Sequence, residues 1–306
     1  MKRILVLISI LIFSCSSDPQ NCDILIENGI IYDGTGDKPY KGVVAISNDK
    51  IIYVGKNKNF VADKVIDATD KAVSPGFINM LSWAYNSLMD DGRSLSDLKQ
   101  GVTLEVFGEG TSPGPSGNIK DNSYVSFGEA MQKLEDNGVS PNIASYLGAA
   151  TVRIQEIGYA NRKATDEEME SMRDIVKSAM EEGAIGIGSS LIYAPGDYAD
   201  TDELVELSKV ASSYGGRYIS HMRNEDSRIL SAVDELIEIA EKADIPAEIY
   251  HLKASRKANY HLLDSVISRV EEARSRGLKI TADMYTYTAS STGLTGVIPT
   301  WVQEGG

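Results

Sequence analysis

The chain of 306 residues is 42% hydrophobic and 24% charged, the balance of an ordinary globular protein long enough for one large domain and a smaller one. Its formal net charge of -14 at pH 7 argues against nucleic acid or an anionic lipid surface as a partner, because a polyanion would have to meet basic patches that the sequence does not carry.

Residues 1–17, MKRILVLISILIFSCSS, begin with Lys2 and Arg3, continue as an apolar run from Ile4 to Phe13 and end in Ser14-Cys15-Ser16-Ser17. So short a run reads as a signal-peptide core, since a membrane span needs about 20 apolar residues. Cys15, preceded by Ile12-Phe13-Ser14, resembles a bacterial lipobox, in which the cysteine is lipidated and becomes the mature N-terminus. The expectation is an exported membrane lipoprotein facing the periplasm; an ordinary signal peptide with a chance cysteine is the plainer alternative. Only Cys22 then remains, so no internal disulfide is expected.

Residues 23–70 are rich in strand and turn signals, with Asn48-Asp49-Lys50 between two β-branched runs, which is hairpin chemistry. A sheet this small needs a partner from elsewhere in the chain. From residue 72 short apolar runs alternate with amphipathic helical stretches. Strands are predicted at 72–80, 102–107, 142–148, 184–189, 216–221, 247–252 and 278–283. Helices are predicted at 165–182, opened by a Thr165-to-Glu168 capping box, and at 201–214, opened by Asp200 with Glu203. Alternation at about thirty-residue spacing predicts a parallel α/β architecture, and seven strands in series point to a TIM-like (β/α)8 barrel whose last strand is missing from the chain.

In such a barrel the C-terminal ends of the strands carry the active site. The chain has three histidines. His221 and His251 each stand at the end of a predicted strand, in YISHMRNE and YHLKAS, whereas His261 begins a helix and reads as a surface or cap residue. Two histidines at adjacent strand ends are the right type to bind a divalent metal such as zinc through neutral imidazole; satisfied polar residues of the core are the competing reading. Glu109, in the small-residue loop of GVTLEVFGEGTSPGP, is a candidate third ligand or else a solvated loop acid.

The segments NGIIYDGTG, VIDATDKAVSPGFIN, QGVTLEVFGEG, GAIGIGSSLIYAPGDYADTDEL, YISHMRNE, YHLKAS and DMYTYTASSTGL, in this order and at these separations, resemble the N-acyl-D-amino-acid deacylases (D-aminoacylases) of the amidohydrolase superfamily. The resemblance runs from about residue 23 to the end. It implies a zinc-bearing barrel over 72–306 beside a small β-sandwich built from both chain ends, to which 18–71 contributes. It implies that His221 and His251 hold the tightly bound zinc and that Lys253 stands close to the substrate. Tyr285 and Ser291 match positions that contact the substrate, its carboxylate above all. Arg223 and Glu225 would face the substrate or support the ligands, with a purely structural ion pair as the alternative.

The chain also departs from the family pattern. Leu81-Ser82-Trp83 stands where the first strand carries His-x-His, Glu109-Gly110 where a cysteine lies in an Asn-Cys-Gly setting, and Gly148-Ala149 where a loop offers Gly-His. The catalytic aspartate is expected beyond Gly306, so the chain reads as a divergent, C-terminally truncated relative. The expected activity is hydrolysis of a small N-acylated amino acid or related amide, with one zinc ion on Glu109, His221 and His251 polarising the acyl carbonyl and an aspartate moving protons. Without that aspartate the activity should be impaired, since general acid–base catalysis contributes about 10²–10⁴-fold. The alternatives are a non-catalytic lipoprotein that uses the barrel mouth as a binding scaffold, and a dihydropyrimidinase-like cyclic amidohydrolase.

Overall fold

The structure is a computed structural model that describes residues 18–118 and 123–305. Residues 1–17, read from the sequence as a targeting segment with Cys15, lie outside the described residues, as does Gly306. The chain divides into two compact units, Met1–Gly76 and Phe77–Gly306.

The strands of the first unit are β1 (Gln20–Glu27), β2 (Ile30–Ile31), β3 (Tyr40–Lys41), β4 (Val43–Ser47), β5 (Lys50–Gly55), β6 (Phe60–Asp67) and β7 (Ala72–Val73). They form a four-stranded sheet in the order β5-β4-β1-β6 and a three-stranded sheet in the order β3-β2-β7. The β4–β5 hairpin turns at Asn48, whose φ of 53° is a left-handed value that asparagine tolerates. Cys22, Leu25, Val43 and Ala45 form the buried cluster of this unit, with Tyr53, Phe60 and Ala62 packed against it.

The strand predicted over 72–80 is two strands. Ala72–Val73 pairs with Ile30–Ile31 in the first unit, and Phe77–Asn79 opens the second. Pro75 separates them: it has no N–H for a ladder and restricts the residue before it.

The second unit continues with β8 (Phe77–Asn79), β9 (Val102–Phe107), β10 (Asn142–Ser145), β11 (Leu147–Gly148), β12 (Gly186–Ser190), β13 (Arg217–His221), β14 (Ala247–Ile249) and β15 (Ile280–Ala282). Every pairing is parallel, in the sheet orders β10-β9-β8 and β11-β12-β13-β14-β15. Residues 142–148 link the two: the Tyr146 N–H bonds Phe107 O at 2.9 Å, and Ser145 O accepts from the Ile185 N–H at 3.0 Å. The helices are α1 (Tyr85–Asp90), α2 (Leu95–Leu98), α3 (Phe127–Asn137), α4 (Ala149–Glu156), α5 (Asp166–Glu181), α6 (Thr201–Ser213), α7 (Ile229–Ala243) and α8 (Leu263–Ser275). α5 begins with the expected capping box, Thr165 and Glu168 exchanging bonds of 3.2 and 2.8 Å, and Asp200 caps α6 through the Glu203 N–H at 2.9 Å.

One face of this parallel series buries Leu147, Ile187 and Ile249 against helix residues such as Val176, Leu204 and Leu236. Arg153 of α4, fully buried, pairs with Glu203 of α6 at 2.6 Å. A second cluster, Val106, Tyr146, Ile219 and Tyr250, packs with Met80, Leu81 and Leu104. Gly188 in β12 allows a close approach that positions the site: a Cβ there would fall 2.1 Å from the Gly108 carbonyl oxygen, next to Glu109. Among the described residues no helix is long and apolar enough to cross a membrane.

Candidate metal centre

Three parallel strands deliver one side chain each to a common point past their C-terminal ends. Glu109 follows β9 in the Gly108–Gly110 loop, His221 is the last residue of β13, and His251 lies just beyond β14. Their ligand atoms all lie within 4.8 Å of one another. His221 Nδ1 is 2.8 Å from Glu109 Oε1 and 3.1 Å from His251 Nε2, and His251 Nε2 is 3.7 Å from Glu109 Oε1. Three ligands of a tetrahedral zinc, each about 2.0–2.1 Å from the ion, stand about 3.3 Å apart, so this triangle has the size of a metal site. The donor set of one carboxylate oxygen and two imidazole nitrogens fits a divalent ion of the zinc type. His221 Nε2 is buried and has no hydrogen-bond partner among the described residues.

The surroundings hold these groups at fixed angles. His251 has a φ of 37°, uncommon for a residue with a side chain, and its N–H is held at 2.7 Å by Asp283 Oδ1, from the end of β15. Glu225 Oε1 stands 3.0 Å from His251 Nδ1, which turns Nε2 toward Glu109 and His221. Lys253 Nζ donates to Glu225 at 2.7 Å, stands 3.1 Å from His251 Nδ1, and lies 5.7 Å from the centre of the Tyr285 ring. Burial alone would raise the Glu109 carboxyl, but the hydrogen bond and charge of His221, the nearby His251 imidazole and the Trp83 N–H hold it at about 2. Burial alone would lower His251, but the carboxylates of Glu109 and Glu225 outweigh it and lift the imidazole to about 9.

The three residues line a cavity of about 1100 Å³, shared with Lys253, Tyr285 and Ser291. Arg223 lies outside it: its guanidinium is engaged by Glu235 at 2.9 Å and by the carbonyls of Asp197 and Ala199, both at 2.9 Å. His261 is exposed on a 3-10 turn, Lys257–Leu262. Two residues that line the cavity escape a reading of the sequence. Trp83 donates its indole N–H to Glu109 Oε2 at 2.8 Å, and Asp283 holds the His251 backbone. Asp283 carried a signal, a carboxylate ending the predicted strand 278–283; Trp83 carried none beyond its place in the departed His-x-His position.

No family model matches the chain. It is 29% identical to the D-aminoacylase of Alcaligenes xylosoxydans xylosoxydans over 289 residues, 90% of this chain and 60% of that protein. Among solved structures it is similar to a D-aminoacylase with a binuclear metal center, described by one-metal activation and second-metal attenuation, at TM-score 0.77 and 28% identity, covering 87% of this chain and 59% of that one. It is similar to the N-acyl-D-glutamate deacylase of Bordetella bronchiseptica complexed with zinc and a phosphonate inhibitor, at TM-score 0.76 and 25% identity, covering 88% and 59%. A D-hydantoinase, at TM-score 0.52 and 17% identity, shares the fold alone. The chain spans about three-fifths of the length of the curated deacylases it matches. The D-aminoacylase and the N-acyl-D-glutamate and N-acyl-D-aspartate deacylases are homologues of the chain, in keeping with the resemblance of its motifs.

Proposed function

We propose that this homologue of the D-aminoacylases is a metal-dependent amide hydrolase acting on a small N-acylated amino acid, with one zinc ion held by Glu109, His221 and His251. The observation that carries the proposal is the convergence of one carboxylate oxygen and two imidazole nitrogens, within 4.8 Å, on a cavity large enough for such a substrate. Zinc, when bound, supplies a Lewis acid for the acyl carbonyl and acidifies a water molecule.

The chain's own residues supply orientation and charge. Glu225 keeps the His251 ring turned, and Asp283 keeps its backbone in place. Lys253 brings a cation to the cavity wall, where a substrate carboxylate would meet it together with the hydroxyls of Tyr285 and Ser291. The parallel series β8 to β15 is read as part of a (β/α)8 barrel, supported by pairing in chain order and by site residues at the C-terminal strand ends. Residues 18–71 are read as a contribution to a small β-sandwich. Export and a membrane tether through Cys15 belong to the same proposal and rest on residues 1–17 alone.

The test is hydrolysis of a panel of N-acetyl-D- and N-acetyl-L-amino acids and of hydantoins, before and after chelation. Slow release of free amino acid, impaired as the sequence predicts, that stops on chelation and returns with zinc is the expected result. Turnover of the cyclic amides alone, or bound metal with no turnover of any of them, overturns the proposal, the latter in favour of a binding scaffold.

A further inference from the structure

Each residue of Leu81-Ser82-Trp83 has a defined partner. Leu81 packs with the buried Val106, Tyr146, Ile219 and Tyr250. The Ser82 N–H bonds Val106 O at 2.9 Å, and the Ser82 hydroxyl donates at 2.7 Å to Glu105, which is fully buried. Ser94 donates to the other Glu105 oxygen at 2.6 Å. The segment is therefore fixed in backbone and side chain just before Trp83, whose indole N–H reaches Glu109 Oε2 at 2.8 Å. The opposite oxygen, Oε1, is the one facing His221 at 2.8 Å and His251 at 3.7 Å. The two oxygens of one buried carboxylate thus have different tasks.

Resting on the metal centre proposed above, we infer that Trp83 is a positioning residue of that centre: its indole N–H holds the outer oxygen of Glu109, so that a single oxygen is presented to a single cation. An indole nitrogen is a donor only, so it orients the carboxylate without competing as a ligand. Neither Leu81 nor the indole offers a lone pair to a second ion, and the N–H dipole turns its positive end toward that side. Trp83 is 62% exposed, so its ring is not held there by burial.

The experiment is a calorimetric titration with Zn²⁺. The wild-type chain takes up one equivalent and remains at one in excess zinc. Trp83→Phe keeps an aromatic ring and removes the N–H; it binds zinc about 10–100-fold more weakly, the range for partners that orient a metal ligand, with an unchanged melting temperature for the metal-free protein. Trp83→Gln, whose amide nitrogen lies as many bonds from Cβ as the indole nitrogen, recovers part of that loss. The chain has two tryptophans, so in a Trp301→Phe background the emission of Trp83 reports alone, and it changes in step with the heat of binding. Unchanged affinity in Trp83→Phe, or a second equivalent taken up by the wild type, overturns the inference. If Glu109→Ala loses zinc while Trp83→Phe keeps it, the inference fails and the metal centre stands; if Glu109→Ala binds as the wild type does, or the wild type binds no zinc, both fall.

Discussion

The two walls of the candidate centre are built from opposite materials. On the wall from β13 and β14, His251 is backed by charge: Glu225 at 3.0 Å on its ring, Asp283 at 2.7 Å on its backbone, and Lys253 bonded to Glu225 at 2.7 Å. On the wall from β8 and β9, Glu109 is backed by one indole N–H at 2.8 Å, and Leu81 packs with Val106, Tyr146, Ile219 and Tyr250. The physical requirements differ in the same way. The tautomer and ring orientation of an imidazole are set by a partner on its far nitrogen, as Glu225 is for His251; a carboxylate needs only one of its oxygens aimed, for which a neutral donor suffices.

The comparison breaks most completely at the ligands. His221→Ala removes the buried imidazole between the two walls, and elemental analysis after desalting should find no stoichiometric zinc. Next in size, Gly188→Ala places a methyl group 2.1 Å from the Gly108 carbonyl, forcing β12 and the Glu109 loop apart. It should lower stability by about 1–3 kcal/mol in urea denaturation and weaken zinc binding with it. Glu225→Gln tests the charged wall alone: the side chain keeps its length and loses its charge, and zinc affinity should fall about 10–100-fold by calorimetry while stability changes little. The smallest effect sharpens the contrast from outside. Thr165→Ala removes the α5 cap, costing about 1 kcal/mol in the same denaturation, with zinc affinity unchanged.

The strands that carry Glu109, His221 and His251 were legible. The predicted strands at 102–107, 216–221 and 247–252 overlap Val102–Phe107, Arg217–His221 and Ala247–Ile249, because parallel strands buried on both faces read as short apolar runs between helices. The helices over 165–182 and 201–214 begin at their caps, since capping is a contact between residues three apart and is written locally. The strand over 72–80 was misread where Pro75 interrupts it. The partners inside the site were hidden for a different reason. Trp83 and Glu109 are 26 residues apart and Glu109 and His221 are 112 apart, so their meeting depends on where loops land after folding. Residue type at a strand end points to the mouth of the site; it does not say which oxygen faces which nitrogen.

The most direct measurement is zinc K-edge X-ray absorption on the zinc-loaded chain. The expected result is a shell of nitrogen and oxygen at about 2.0–2.1 Å, the outer-shell scattering of two imidazoles, and no sulfur. A sulfur shell near about 2.3 Å, the absence of imidazole scattering, or a chain that retains no zinc to measure would contradict it.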